Sequence, residues 1–133
     1  MKKTGVIAEQ GQVIGYVGEY ARAIKFSKFV EMVNRFLGTR SFAITGDSMS
    51  VKRVGIVSGG AANLALEMPN YGCDTYLTGE AKEGIVNPVM ELKLNFVSAG
   101  HYNTEVMGIK NLGELIARKF QIPVEFVDVP CEI

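Results

Sequence analysis

Leu94–Leu115 reads LNFVSAGHYNTEVMGIKNLGEL, and it decides how the rest of the chain is organised. Asn95 to Ser98 is a brief apolar run that closes on small residues, as a short buried strand does. Val106, Ile109, Leu112, Leu115 and Ile116 then recur at helical spacing, which predicts a helix beginning near Thr104. Thr104 or Asn103 is placed to cap it by accepting a first-turn N–H. His101, the sole histidine of the chain, and Glu105 thus fall between a strand's carboxyl end and a helix's amino end. Ligands bind at that edge of open α/β sheets. The helix dipole favours a carboxylate at Glu105 in any case, so the pair alone does not establish a ligand site.

Upstream, the same pattern repeats. Ile56-Val57-Ser58-Gly59-Gly60, Tyr76-Leu77-Thr78-Gly79-Glu80 and Phe96-Val97-Ser98-Ala99-Gly100 each place two apolar residues before a hydroxyl residue and a small one. Ala61–Met68 and Glu83–Leu92 separate them and are long enough for short helices; Pro69 should end the first, and Pro88 should shorten or kink the second. Val124–Val129, after Pro123, reads as a final strand. This β-α-β-α-β-α-β order predicts a largely parallel (mixed) sheet with right-handed crossovers and helices packed on it. The turns Ser58-Gly59-Gly60 and Thr78-Gly79-Glu80 would then share one edge with His101 and Glu105. Glycines serve tight βα turns for purely conformational reasons, and GGAAN is neither a Walker loop nor GxGxxG, so this loop does not by itself mark a nucleotide site.

The amino-terminal part is less regular. Gly5–Tyr20 carries two β-prone runs around Glu9-Gln10-Gly11-Gln12, a hairpin preceding the α/β unit. Ser27 is read as the cap of a helix with Phe29, Val30, Val33, Phe36 and Leu37 on its apolar face, ending at Gly38. Phe42–Thr45 is a short strand, and Thr45–Ser50 a polar loop.

With 133 residues, 47% of them hydrophobic, the chain suits a single α/β domain over residues 1–133. Fourteen basic and 14 acidic side chains cancel, which gives no electrostatic footprint for nucleic acid or an anionic membrane. No apolar run approaches the ~20 residues of a spanning helix, and MKKTGVIAEQGQ lacks the apolar centre of a signal peptide. Cys73 and Cys131 form no CxxC pair and suit a reducing, cytoplasmic setting. No Ser-His-Asp triad or Cys-His pair can be assembled around His101, so catalytic residues stay unassigned and no organic cofactor site is read. A divalent metal needs three or more ligands; Glu80 is the best further candidate, with Asp74 and Glu83 behind it, although Glu80 serves equally well to bond the turn's backbone.

Tyr76-Leu-Thr-Gly-Glu80, Ser98-Ala-Gly-His-Tyr-Asn-Thr-Glu105 and Val124-Glu-Phe-Val-Asp-Val-Pro130 together resemble the carboxyl-terminal half of the NGG-interacting-factor-three-like family, the type-two homologues of GTP cyclohydrolase I. The GHYxTE element is the most specific piece, and Gly15-Tyr-Val-Gly18 resembles the entry to that half. The resemblance implies an α/β fold, homo-oligomers (dimers arranged into hexameric rings) and a dinuclear site for zinc, manganese or iron. It assigns two metal ligands to this chain, His101 and Glu105, and implies a metal-dependent hydrolase acting on a nucleotide-like or phosphorylated molecule. The family's other ligands, a histidine pair and an aspartate, belong to an amino-terminal half, and nothing like a histidine pair occurs here. Ala81-Lys-Glu-Gly84 also stands where many members have a histidine. Three explanations stay open: a second polypeptide supplies the other half, the chain is a fragment, or it is a non-catalytic assembly subunit that has lost the two-metal chemistry. A small-molecule anion sensor built on the Ser58–Gly60 and Thr78-Gly79 turns is a further alternative.

Overall fold

The computed structural model describes residues 1–129. Its centre is a six-stranded mixed sheet in the order β1-β2-β4-β5-β6-β3. The strands are β1 (Lys2–Glu9), β2 (Gln12–Lys25), β3 (Phe42–Ile44), β4 (Ser50–Ile56), β5 (Thr75–Thr78) and β6 (Asn95–Ser98). The repeat supplies the parallel part: β4 pairs with β5 and β5 with β6 in parallel. Antiparallel strands flank it, with β1 and β2 on one side and β3 against β6 on the other.

The hairpin turns at Gln10-Gly11, both with positive φ, as the loop composition predicts. Strand β2 runs past the expected end at Tyr20, because its second half continues against β4 up to Lys25↔Ser50. Helix α1 (Phe26–Leu37) ends at Gly38 in the left-handed conformation, whose N–H donates to the Asn34 carbonyl. Its start differs from the reading: the helix begins at Phe26, and no side chain caps it. The Phe26 N–H donates instead to the Met49 carbonyl, so the loop before β4 does what Ser27 was expected to do.

A 3-10 helix spans Ala62–Tyr71 and α2 spans Glu83–Glu91. Pro69 does not end the first; it lies inside, and Gly72 in the left-handed conformation closes the segment. Pro88 lies within α2, which closes at Glu91, one residue short of the expected Leu92. Helix α3 covers His101–Phe120.

Two apolar clusters cover the two faces of the sheet. One joins Ile7, Val17, Met68, Tyr76, Val89 and Phe96 under the 3-10 helix and α2. The other joins Phe26, Phe29 and Val33 of α1 to Val51, Val54 and Val97. Asn95, though polar, is fully buried and satisfied: its amide N–H donates to the Ser50 carbonyl at 3.1 Å and its side-chain oxygen accepts from the Gly46 N–H at 2.9 Å.

The final strand expected at Val124–Val129 does not form. The free edge of β6 is already taken by β3, so that segment has no ladder to join. It runs back beside α3, where Lys110 Nζ lies 4.5 Å from the Phe126 ring centroid and the Tyr102 hydroxyl donates to Asp128. Cys131, along with Pro130, falls outside the described residues.

Candidate metal site

Three turns meet at the carboxyl edge of the parallel strands, and main-chain bonds join them. The Gly79 N–H donates to the Gly59 carbonyl at 3.1 Å, the Ala99 N–H to Thr78 at 2.9 Å, and the Gly100 N–H to Gly79 at 2.9 Å. The Ser98 hydroxyl, buried, also donates to the Gly79 carbonyl at 2.9 Å. The expected common edge for Ser58–Gly60, Thr78–Glu80 and His101 therefore exists.

Two glycines make this nesting possible. A Cβ on Gly79 would stand 2.7 Å from both the Gly59 carbonyl oxygen and Thr104 Oγ1, and 2.9 Å from His101 Cα. Gly59 has φ +68°, and a Cβ there would run into Glu105 Oε1 and stand 3.2 Å from His101 Nε2. The space above Gly59 is thus a cradle that a side chain would fill, and the Glu105 oxygen and the imidazole Nε2 both border it.

Helix α3 starts at His101, three residues earlier than the periodicity implies, and neither Thr104 nor Asn103 caps it. Gly100, with φ +91°, lets the chain turn directly from β6 into the helix. Thr104 is used elsewhere: its Oγ1 accepts the Gly59 N–H at 3.0 Å and lies 2.9 Å from the His101 carbonyl. That contact fastens the first turn of α3 to the Gly59 loop.

On this frame His101 is bracketed by carboxylates. Its Nδ1 lies 2.5 Å from Glu80 Oε1, and its Nε2 lies 3.3 Å from Glu105 Oε1. The His101–Glu105 pair follows from helical i, i+4 spacing. The Glu80 contact depends on sheet register, since Thr78 pairs with Ser98 and so carries Glu80 up beside Gly100. The imidazole pKa is raised, chiefly by the hydrogen bond to Glu80, with burial opposing and the charges of Glu105 and Glu80 adding to it.

Glu80 therefore bonds a side chain and not the turn's backbone. Asp74 lies at the opposite end of β5, where it accepts the N–H groups of Lys52 and Arg53 at 2.9 and 3.0 Å, so it cannot join the site. Glu83 opens α2. Among the described residues no three His, Cys, Asp or Glu side chains are arranged to hold one ion. Glu80 and Glu105 face opposite ring nitrogens, which explains why three acidic and imidazole groups so close together still do not converge. The Glu80–His101 contact was not foreseen, although the 20-residue offset between the repeats is the register that creates it.

Outside the ring, a cleft of about 890 Å³ lies on the Glu80 side, lined by Gly79, Glu80, Tyr102, Arg40 and Lys110 among others. An apolar groove of about 780 Å³ lies between α1 and α3, with Phe29, Met32, Val33, Phe36, Leu77 and Met107 in its walls.

Residues 1–131 match the family model described as Duf34/NIF3 (NGG1p interacting factor 3). The GTP cyclohydrolase 1 type 2 homolog of Deinococcus radiodurans is 34% identical over 91% of this chain and 46% of its own length. The Yersinia pestis homolog of the same name is 34% identical over 94% of this chain and 51% of its own. Among solved structures, the protein called ybgI, described as of unknown function, superposes with a TM-score of 0.89 at 26% identity, covering 99% of this chain and 52% of that one. The chain spans about half the length of the curated relatives it matches.

Proposed function

The chain belongs to the Duf34/NIF3 family, and from that premise we propose that it is a divalent-metal-binding half-unit of a metal-dependent hydrolase. The observation that carries this is the convergence of His101 Nε2 and Glu105 Oε1 over the open cradle at Gly59. Imidazole nitrogen and carboxylate oxygen are the donor set that zinc, manganese and iron share. A divalent cation held there would lower the pKa of a bound water and polarise a scissile bond. The residues of this chain would supply two ligands and a glycine-lined approach. The relatives named GTP cyclohydrolase 1 type 2 homolog support a nucleotide-like or phosphorylated substrate.

Two ligands hold a divalent cation weakly, so the remaining ligands must come from elsewhere. The chain spans about half the length of its relatives, and the histidine pair and aspartate that the family resemblance implies would lie in the other half, on the same or a second polypeptide. Self-association into dimers or a hexameric ring, in the cytoplasm, completes the reading. The open outer edge of β1 supports it, since an unpaired edge strand is a template for association. No helix among the described residues is long and apolar enough to cross a membrane.

A second reading, a non-catalytic assembly subunit, is favoured by the lack of a third converging ligand among the described residues. Zinc titration of the wild type and His101→Ala, each with and without a candidate amino-terminal half, separates the two. The hydrolase reading expects weak binding by the chain alone, a sharp gain with the partner, and loss of that gain in His101→Ala. Equal affinities in all four cases would leave the assembly role.

A further inference from the structure

The sequence offers Glu80 two roles, ligand or turn-bonding residue, and its geometry fits neither. Its carboxylate lies 2.5 Å from His101 Nδ1, on the far side of the ring from Glu105. We propose that Glu80 is the positioning residue of this site: by accepting the Nδ1–H it fixes the tautomer and plane of His101, so that the Nε2 lone pair faces Glu105 and the Gly59 cradle. The inference rests on reading His101 and Glu105 as the ligand pair, and adds how that pair is made ready.

A neutral imidazole carries one N–H and one lone pair, and the stronger acceptor keeps the N–H on its side. Two carboxylates compete here, and distance decides between them. Glu80 at 2.5 Å is within strong, charge-assisted range, whereas Glu105 at 3.3 Å is beyond the usual reach of such a bond. The proton therefore belongs on Nδ1, and Nε2 is left free. Metal-ligating histidines gain orientation and basicity from such an outer carboxylate.

The backbone holds Glu80 to this task. Gly79, immediately before it, donates to Gly59 and accepts from both Gly100 and Ser98, so the turn is fixed from both neighbouring strands.

His101 is the sole histidine, so imidazole resonances of the ¹⁵N-labelled chain belong to one residue. At alkaline pH, where the ring is neutral, the wild type should show the Nδ1–H tautomer, and Glu80→Ala should shift it toward Nε2–H. Zinc affinity should fall roughly 10–100-fold in Glu80→Ala. In Glu80→Gln the fall should be smaller, because the amide oxygen still accepts the Nδ1–H. On zinc loading the wild-type Nδ1 proton should persist. Its loss would make Glu80 a ligand and overturn the inference. Unchanged tautomer and affinity in both variants would also overturn it, leaving at most a change in melting temperature. Should the wild type take up no zinc even with the candidate amino-terminal half, the metal reading fails, while the tautomer comparison in metal-free protein still decides the role of Glu80.

Discussion

Strand β6 and helix α3 follow one another directly and are both rich in apolar side chains, yet they meet opposite fates. All four residues of β6 are buried, and no residue of α3 is. The strand finds partners on both edges and both faces within this chain. The helix is fastened to the sheet edge at its first turn, through Thr104, and further along meets the Val124–Val129 segment, but it leaves Ile109, Leu112 and Leu115 about half exposed along one stripe. A side chain contributes to stability through what it is removed from water by, and not through its hydrophobicity alone. The site lies where these two regimes join, with Glu80 on the turn after β5 and His101 and Glu105 in the first turns of α3.

The largest effect that tests this contrast is in the sheet. Phe96→Ala should cost about 3–5 kcal/mol, as truncating a buried aromatic does, whereas Leu112→Ala on α3 should stay within about 0.5 kcal/mol. Urea denaturation of both variants checks it, and comparable losses would mean that the α3 stripe is covered in solution. Next comes the junction. Gly79→Ala forces a methyl against backbone on two sides and should cost roughly 1–3 kcal/mol, the scale of overpacking. It should also release the imidazole from Glu80, visible in the His101 resonances, while Gly84→Ala, with open space around it, should do neither.

The smallest effect is chemical. Cys73 is 7% exposed beneath the sheet, and burial pushes its thiol up to about 11. At pH 8 only about one molecule in a thousand carries the thiolate, so in a Cys131→Ser background disulfide reagents should label the native protein far more slowly than the urea-unfolded one. The folded state holds this proton more tightly, so the stability Cys73 contributes is complete below the unfolded thiol's pKa. It falls as pH rises from there through about 11.

How much of this was legible in the sequence follows the same division. Gln10-Gly11, Gly38 and the repeat at Ile56, Tyr76 and Phe96 encode local geometry, and the hairpin, the end of α1 and the parallel strands lie where those residues place them. His101 and Glu105 were legible as a pair through the GHYxTE resemblance, although the helical turn that joins them was expected to begin only near Thr104. Whatever depended on a distant occupant was not. Val124–Val129 has the composition of a strand, but β3 had already claimed the edge it would have used. Thr104 has the composition of a cap, but a loop 45 residues earlier in the chain uses its hydroxyl. Glu80 had no local cue for its partner, since only register brings it to His101.

The bonds among the three turns have a consequence for the order in which an unfolded chain assembles this edge. Each closes a chain loop of about 20 residues, from Gly59 to Gly79 and from Gly79 to Gly100. Such contacts form only after the loop-closure entropy has been met, which makes them slow compared with a helical turn. His101 and Glu105 come together as soon as the first turn of α3 winds, on the timescale of helix nucleation. Gly59 and Glu80 arrive only when both crossovers have closed and β5 has settled into register. A full-length chain refolding from the unfolded state thus acquires its donor atoms early and their orientation last.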